Sequence, residues 1–311
     1  MNAFLPDQTR ISQVHLRTAK LDFALAFYSE MLGLKAFRDS SAQASLSVGD
    51  ESPPLIVLSE DLTAAPRAPR STGLYHFALR YPQRQGLARA YRRLLDRGYS
   101  VAGASDHGVS EAIYLNDADG NGVELYSDRP QSQWSWRYGE VAMFSRALDL
   151  DSLLATLKQQ QAPEDRTAEL DIGHIHLHVA DLAVAERFYR EFLGLAVTQR
   201  SYPGALFLAA GNYHHHIAIN NWAGKTPSPK NGVGLISYRL EVSLREILYC
   251  LCHRAPLLGY EIRTEEKNPL LIQIRDPNGN WLEVQARPTS AEHSQLPRCT
   301  LGAGMTGTLT F

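Results

Sequence analysis

The stretch Gly173-His174-Ile175-His176-Leu177-His178-Val179 alternates imidazole and aliphatic side chains at period two. A β-strand sends successive side chains to opposite faces, so His174, His176 and His178 share one face and Ile175, Leu177 and Val179 the other. The aliphatic face asks for a core. The imidazole face reads either as a solvated surface or as the wall of a site, since histidine is intermediate in burial and is a common metal ligand.

The residues that follow, Leu182-Ala183-Val184-Ala185-Glu186-Arg187-Phe188-Tyr189-Arg190-Glu191-Phe192-Leu193-Gly194-Leu195, place apolar groups at helical spacing. They close on a glycine, the residue that best tolerates the left-handed position after a helix. The pattern stands earlier as Leu21-Asp22-Phe23-Ala24-Leu25-Ala26-Phe27-Tyr28-Ser29-Glu30-Met31-Leu32-Gly33-Leu34, behind Val14-His15-Leu16. A second echo relates Asp117-Ala118-Asp119-Gly120-Asn121-Gly122-Val123-Glu124-Leu125-Tyr126 to Asp276-Pro277-Asn278-Gly279-Asn280-Trp281-Leu282-Glu283-Val284-Gln285. Both are Asp/Asn/Gly turns feeding a strand whose apolar residues flank a glutamate, so the carboxylate points away from the packed face. Two more strand-then-helix units begin at residues 73 and 235. The chain therefore reads as an α+β protein of four modules, 10–62, 72–128, 171–222 and 233–287, each a strand, a helix and a three-stranded meander. The linker, 129–170, carries Trp134, Trp136 and an expected helix over 148–161, and a Gly/Thr-rich tail follows at 288–311.

Composition agrees with about two globular domains: 311 residues, 44% hydrophobic and 21% charged, with a formal charge of −2. No basic run exceeds two residues, so neither nucleic acid nor an anionic membrane is an expected partner. The N-terminus lacks a basic, apolar leader and no span of about 18 apolar residues occurs, which reads as a cytoplasmic chain. Three cysteines, two of them spaced Cys250-x-Cys252, suggest buried thiols and not a disulfide framework.

A strand opening on His, the Phe-Tyr…Leu-Gly-Leu helix and the Asp-x-x-Gly-Asn-x-x-Glu strand together resemble the vicinal oxygen chelate superfamily. Its members include glyoxalase I, bleomycin-resistance proteins and extradiol ring-cleaving dioxygenases. The four-module length and Ser105-Asp106-His107-Gly108-Val109-Ser110-Glu111 look more narrowly like catechol 2,3-dioxygenases. The resemblance implies βαβββ modules paired into two half-barrel domains, an N-terminal one over 1–128 and a C-terminal one over 171–287. It also implies a divalent metal, usually Fe(II), held by His from two opening strands and Glu from a last strand.

The opening-strand ligand positions are Gln13, His76, His174 and Ser237, and the last-strand positions are Val57, Glu124, the His214-His215-His216 run and Glu283. Pairing modules in sequence order gives Gln13, His76 and Glu124 at one site, and His174, Ser237 and Glu283 with the histidine run at the other. Serine is not a customary Fe(II) ligand. Pairing modules two and three gives the full set His76, Glu124 and His174, with modules one and four as the degenerate pair. Two imidazoles and a carboxylate leave about three coordination positions open, as a chelating diol and O₂ require.

For proton transfer His215 and His216 compete. Strand parity puts His216 on the site-facing side with Ala218 and is preferred here; resemblance to a His-His-x-Ile-Ala motif favours His215. His107 reads as a substrate-side or surface-loop histidine, and Tyr114 as either a substrate contact or a core tyrosine. His176 and His178 read as pocket lining, and Trp222 as a pocket wall or simple packing. The leading expectation is an Fe(II)-dependent extradiol dioxygenase acting with O₂ on a small aromatic diol; a homo-oligomer is compatible with it. The alternatives are a glyoxalase-like lyase or isomerase using Mn, Ni or Zn, and a metal-free binding protein of the bleomycin-resistance kind.

Overall fold

The computed structural model describes residues 5–158, 170–265 and 268–288. Module one contributes β1 (Arg10–Thr18), α1 (Leu21–Ala26), β2 (Lys35–Arg38), β3 (Gln43–Ser47) and β4 (Ile56–Glu60); module two β5 (Gly73–Arg80), α2 (Arg84–Asp96), β6 (Gly103–Asp106), β7 (Ser110–Asn116) and β8 (Gly122–Asp128). The linker folds into a short helix, α3 (Leu150–Ala155), that tightens into a 3₁₀ turn at Thr156–Lys158. Module three supplies β9 (Asp171–His178), α4 (Leu182–Glu186), β10 (Ala196–Gln199), β11 (Ala205–Ala209) and β12 (Ile217–Asn220); module four β13 (Gly234–Val242), α5 (Glu246–Leu257), β14 (Ile262–Glu265), β15 (Asn268–Arg275) and β16 (Trp281–Ala286). Residues 159–161 of the expected linker helix and the tail from 289 lie outside the described residues.

In every module the opening strand pairs in parallel with the last, and the meander strands extend outward from it. One sheet runs β14-β15-β16-β13-β1-β4-β3-β2; the other runs β6-β7-β8-β5-β9-β12-β11-β10, with Arg146–Ala147 added at the β6 edge. Modules four and one are thus joined by antiparallel β13 and β1, and modules two and three by antiparallel β5 and β9. Each half of the sequence gives one module to each sheet.

The helices tie together what the strands separate. Both α1 and α4 widen into π-helical turns, Phe27–Met31 and Arg187–Phe192, that carry Tyr28 and Tyr189 into the interior. Each tyrosine is wholly buried and donates to the aspartate of the next module's turn, Tyr28 to Asp117 at 2.7 Å and Tyr189 to Asp276 at 2.7 Å. The same aspartates accept backbone N–H groups from their own turns, which explains the Asp-x-x-Gly-Asn pattern. Gly33 and Gly194 close the helices at φ +79° and +94°, the region that favours glycine.

Two bulges shape the β5–β9 seam. The register passes from Ile172↔Leu79 to His174↔Ala78, leaving Gly173 as an extra residue, and from His176↔His76 to Leu177↔Leu74, leaving Tyr75 extra. A side chain at 173 would overlap the Tyr126 hydroxyl, and one at 122 would overlap the Tyr75 carbonyl. Beyond the bulges the aliphatic face of β9 is fully packed. Ile175, Leu177 and Val179 have no exposed surface and belong to the main hydrophobic core, a burial worth roughly 1.5–3 kcal/mol per side chain.

Candidate metal centre

On the other face of this seam the imidazoles are buried too. His174, His176 and His178 are 2%, 4% and 9% exposed, so the solvated-surface reading of the strand does not apply. The pairings His174↔Ala78 and Ala78↔Glu124 set His174, Ala78 and Glu124 in one row across three strands. Ala78 is the low point of that row. Over it the side chains from either side converge: His76 Nε2 lies 2.9 Å and His174 Nε2 3.2 Å from the same Glu124 oxygen, Oε2. Among the described residues one group of three His, Cys, Asp or Glu side chains has ligand atoms all within 4.8 Å of one another, and it is His76, Glu124 and His174.

The electrostatics suit a cation. Burial alone would raise the Glu124 carboxyl, but the two imidazoles hold it well below the usual carboxylate range. For His174 burial wins over the attraction of Glu124 and pushes the imidazole down to about 4, so at neutral pH it is uncharged and has a lone pair to offer. Its Nδ1 is a buried nitrogen without a hydrogen-bond partner among the described residues. One anionic oxygen donor and two nitrogen donors, convergent and largely buried, fit a divalent ion of intermediate softness.

The neighbouring histidines are committed elsewhere. Asn220 joins His178 and His176, its Oδ1 accepting from His178 Nδ1 at 2.6 Å and its Nδ2 donating to His176 Nε2 at 2.9 Å. His107 Nδ1 donates to the Phe144 carbonyl at 2.8 Å, which leaves Nε2 to accept from the Tyr114 hydroxyl at 2.7 Å. Tyr114, paired with Glu124 across β7 and β8, faces the same cavity as the triad. That cavity holds about 560 Å³; Tyr75, Tyr202, Phe207 and Trp222 form its aromatic side, and Phe144 and Ser145 of the linker close another.

The structure corrects the choice within the histidine run. His215 lines the cavity, its ring 4.1 Å from that of His174, while His216 turns into a separate hollow beside Arg80 and Tyr213. Strand parity misassigned them because β12 begins only at Ile217. His214 and His216 lie in bends and His215 in irregular backbone between them, where alternation does not hold. His216 Nδ1 instead accepts the Ala210 N–H at 3.2 Å.

Sequence reasoning also missed Tyr75. Period two assigns it to the face opposite His76, but the bulge turns both to the cavity, where Tyr75 touches His76, His176, His178 and Trp222 with centroid separations of 4.7–5.8 Å. The available signal was Gly122, whose lack of a side chain admits the bulged backbone. Trp222 is a cavity wall, held by donation of its Nε1 to the Pro203 carbonyl at 3.0 Å.

A family model of the glyoxalase/bleomycin resistance protein/dioxygenase superfamily matches residues 10–125 and 171–284, and the chain belongs to that superfamily. Within it the chain is 39% identical over 281 residues to the catechol-2,3-dioxygenase of Bacillus subtilis strain 168, covering 87% of this chain and 95% of that one. It is 28% identical over 135 residues to biphenyl-2,3-diol 1,2-dioxygenase 3 of Rhodococcus globerulus, covering 42% of this chain and 71% of that one. The structure of glyoxalase I from Zea mays shares the fold at a TM-score of 0.56 and 17% identity, over 90% of this chain and 92% of the other. No helix among the described residues is long and apolar enough to cross a membrane.

Proposed function

We propose that this chain is an Fe(II)-dependent extradiol dioxygenase that opens the ring of a catechol-type diol beside its two hydroxyls. The observation that carries the reading is the buried His76–Glu124–His174 group at the floor of an aromatic-walled cavity, with an uncommitted histidine nitrogen beside it. The likeness to a catechol-2,3-dioxygenase along nearly the full length of both chains supports it.

His76, His174 and Glu124 would hold the ion. When bound, Fe(II) supplies open positions where diol and O₂ meet and the electrons that activate O₂. The remaining work belongs to side chains. Tyr75 and Phe207 offer flat surfaces to the substrate ring and, with Trp222, keep water away. His215, which burial and the surrounding histidines bias toward its neutral form, takes a proton from the diol and later returns one to the ring-opened product. Tyr114, oriented by His107, presents its hydroxyl oxygen to the same space. Both atoms of O₂ end in the product. The partners are a small aromatic diol and O₂, and the compartment is the cytoplasm.

The lyase reading asks for a carboxylate where module three offers His215. Anaerobic reconstitution with Fe(II), followed by catechol in air, separates the readings. A yellow ring-cleavage product that requires Fe(II) is expected. One tightly held metal per chain with no product from any of a panel of catechols would overturn the dioxygenase reading, and absence of metal binding would leave a binding protein.

A further inference from the structure

Behind the cavity wall His215 is the first member of a hydrogen-bonded chain. Its Nδ1 lies 2.6 Å from Nδ1 of His214, and His214 Nε2 lies 2.9 Å from Asp128 Oδ1. The second Asp128 oxygen accepts from the Tyr213 hydroxyl at 2.9 Å and faces Arg80 Nη1 at 3.4 Å. Among the described residues the only hydrogen-bond partner of His215 is His214, which leaves its Nε2 toward the cavity.

Two imidazole nitrogens at that separation need one proton between them, and the far end of the chain decides who supplies it. An ionised carboxylate only accepts, so His214 Nε2 carries a proton. Although burial opposes ionisation, His214 and Arg80 hold the Asp128 carboxyl below its ordinary range. Arg80 and the Tyr213 hydroxyl share the charge of Asp128, although Arg80 pairs more closely with Asp171, at 2.6 and 3.0 Å. His214 itself is wholly buried against Trp134 and Tyr213. With its proton at Nε2, His214 offers Nδ1 as an acceptor, His215 donates to it from Nδ1–H, and the lone pair of His215 sits on Nε2.

We propose that Asp128 and His214 are positioning residues that lock His215 in the tautomer whose Nε2 is a base facing the substrate. The inference rests on the reading of His215 as the proton-transferring group and deepens it. The substrate O–H bond breaks, its proton goes to Nε2 and its electron pair stays on the substrate oxygen. The resulting imidazolium keeps its Nδ1–H bond to His214, with Asp128 as the anion at the end of the chain. The same proton leaves Nε2 for the product.

Asp128→Asn tests the direction of the chain. Its amide oxygen still receives Tyr213 and Arg80, while its N–H must donate to His214 Nε2. His214 then donates from Nδ1, and His215 becomes an Nε2–H donor with no lone pair toward the cavity. Two-bond ¹H–¹⁵N spectra of metal-free protein labelled with ¹⁵N-histidine, assigned with His215→Gln, read the tautomers directly. The expected result is Nδ1–H at His215 in the native protein and Nε2–H in Asp128→Asn. In the Fe(II)-loaded enzyme kcat should fall about 10²–10⁴-fold, with KM and iron content close to native. An Nε2–H tautomer in the native protein, or an unchanged one in Asp128→Asn, overturns the proposal. If Asp128→Asn does not fold, His214→Phe replaces it, and retention of pure Nδ1–H at His215 without its acceptor would equally overturn it. The expected tautomers in a protein that cleaves no diol would support the chain and sink the dioxygenase reading alone.

Discussion

The guanidinium of Arg239 grips the carboxylate of Glu283, with Nε at 2.9 Å and Nη2 at 2.7 Å from the same oxygen. Ser237 and Gln273 donate to the other oxygen at 3.0 and 3.3 Å. In the sheet of modules four and one, Arg239 stands in register between Glu283 and Gln13. Ala78 has that place between Glu124 and His174 in the other sheet. A small side chain leaves the carboxylate open to a cation from outside; an arginine supplies the cation itself.

Glu283→Ala should therefore retain native metal content, about one ion per chain, while Glu124→Ala loses it. It should also cost stability, because Arg239, with a quarter of its side chain exposed, is left without its carboxylate. We expect about 1–3 kcal/mol, below the loss typical of a fully buried pair. Mass-spectrometric metal analysis and urea unfolding check the two halves, and loss of metal in Glu283→Ala would refute the assignment of the site to modules two and three.

His76→Ala and His174→Ala should each weaken metal affinity by more than about 100-fold, since even partners outside the ligand set are commonly worth 10–100-fold. Chelator competition with Zn(II) or Co(II) measures this without O₂. Near-native affinity in either variant would remove that residue from the ligand set.

Gly173→Ala should be costly for a glycine at ordinary φ. The new methyl group overlaps the Tyr126 hydroxyl, which is held at 2.7 Å by Tyr213 and has little room to withdraw. Overpacking of this kind costs about 1–3 kcal/mol, and because His174 is the next residue, metal affinity should fall with stability. Denaturant midpoints identical to the native protein would show that the seam yields more easily than its packing suggests.

Burial first, then the neighbouring His214 and Arg80, push the His216 imidazole down to about 3. Unfolded, it titrates near 6.5. The unfolded chain takes up the proton first, so the contribution of His216 to stability is complete above about pH 6.5 and falls as pH drops toward 3. Near pH 5 it has lost roughly 2 kcal/mol. His216→Gln should lose less stability than the native protein between about pH 7.5 and 5, by close to that amount; parallel pH profiles would mean that His216 is solvated.

Much of the site could be read before folding, because each of its parts is a local pattern. Alternation around His174 names a strand and its face, the Asp-x-x-Gly-Asn turn names the strand that bears Glu124, and the repeated Phe-Tyr helix counts the modules. Tyr75 and Arg239 were not legible in this way, and His215 was favoured only by the His-His-x-Ile-Ala resemblance, against strand parity. Tyr75 and His215 sit where a strand bulges or has not begun, so period-two parity fails within one or two residues. Arg239 has meaning only beside Glu283, across a sheet. The order of the sheets is likewise a matter of which opening strands zip together, and residues far apart in the chain settle that.

Local chemistry thus determined the four modules, the inward and outward faces of their strands and the residue types available to a metal, since those depend on neighbours two to four positions away. Tertiary structure decided between the pairings of modules that the ligand inventory had left open, by joining two and three at one seam, and between His215 and His216; it alone showed that Ala78 leaves a space where Arg239 fills one. Strand pairing, bulges and the burial of charge are set by contacts between distant segments, and no periodicity records them.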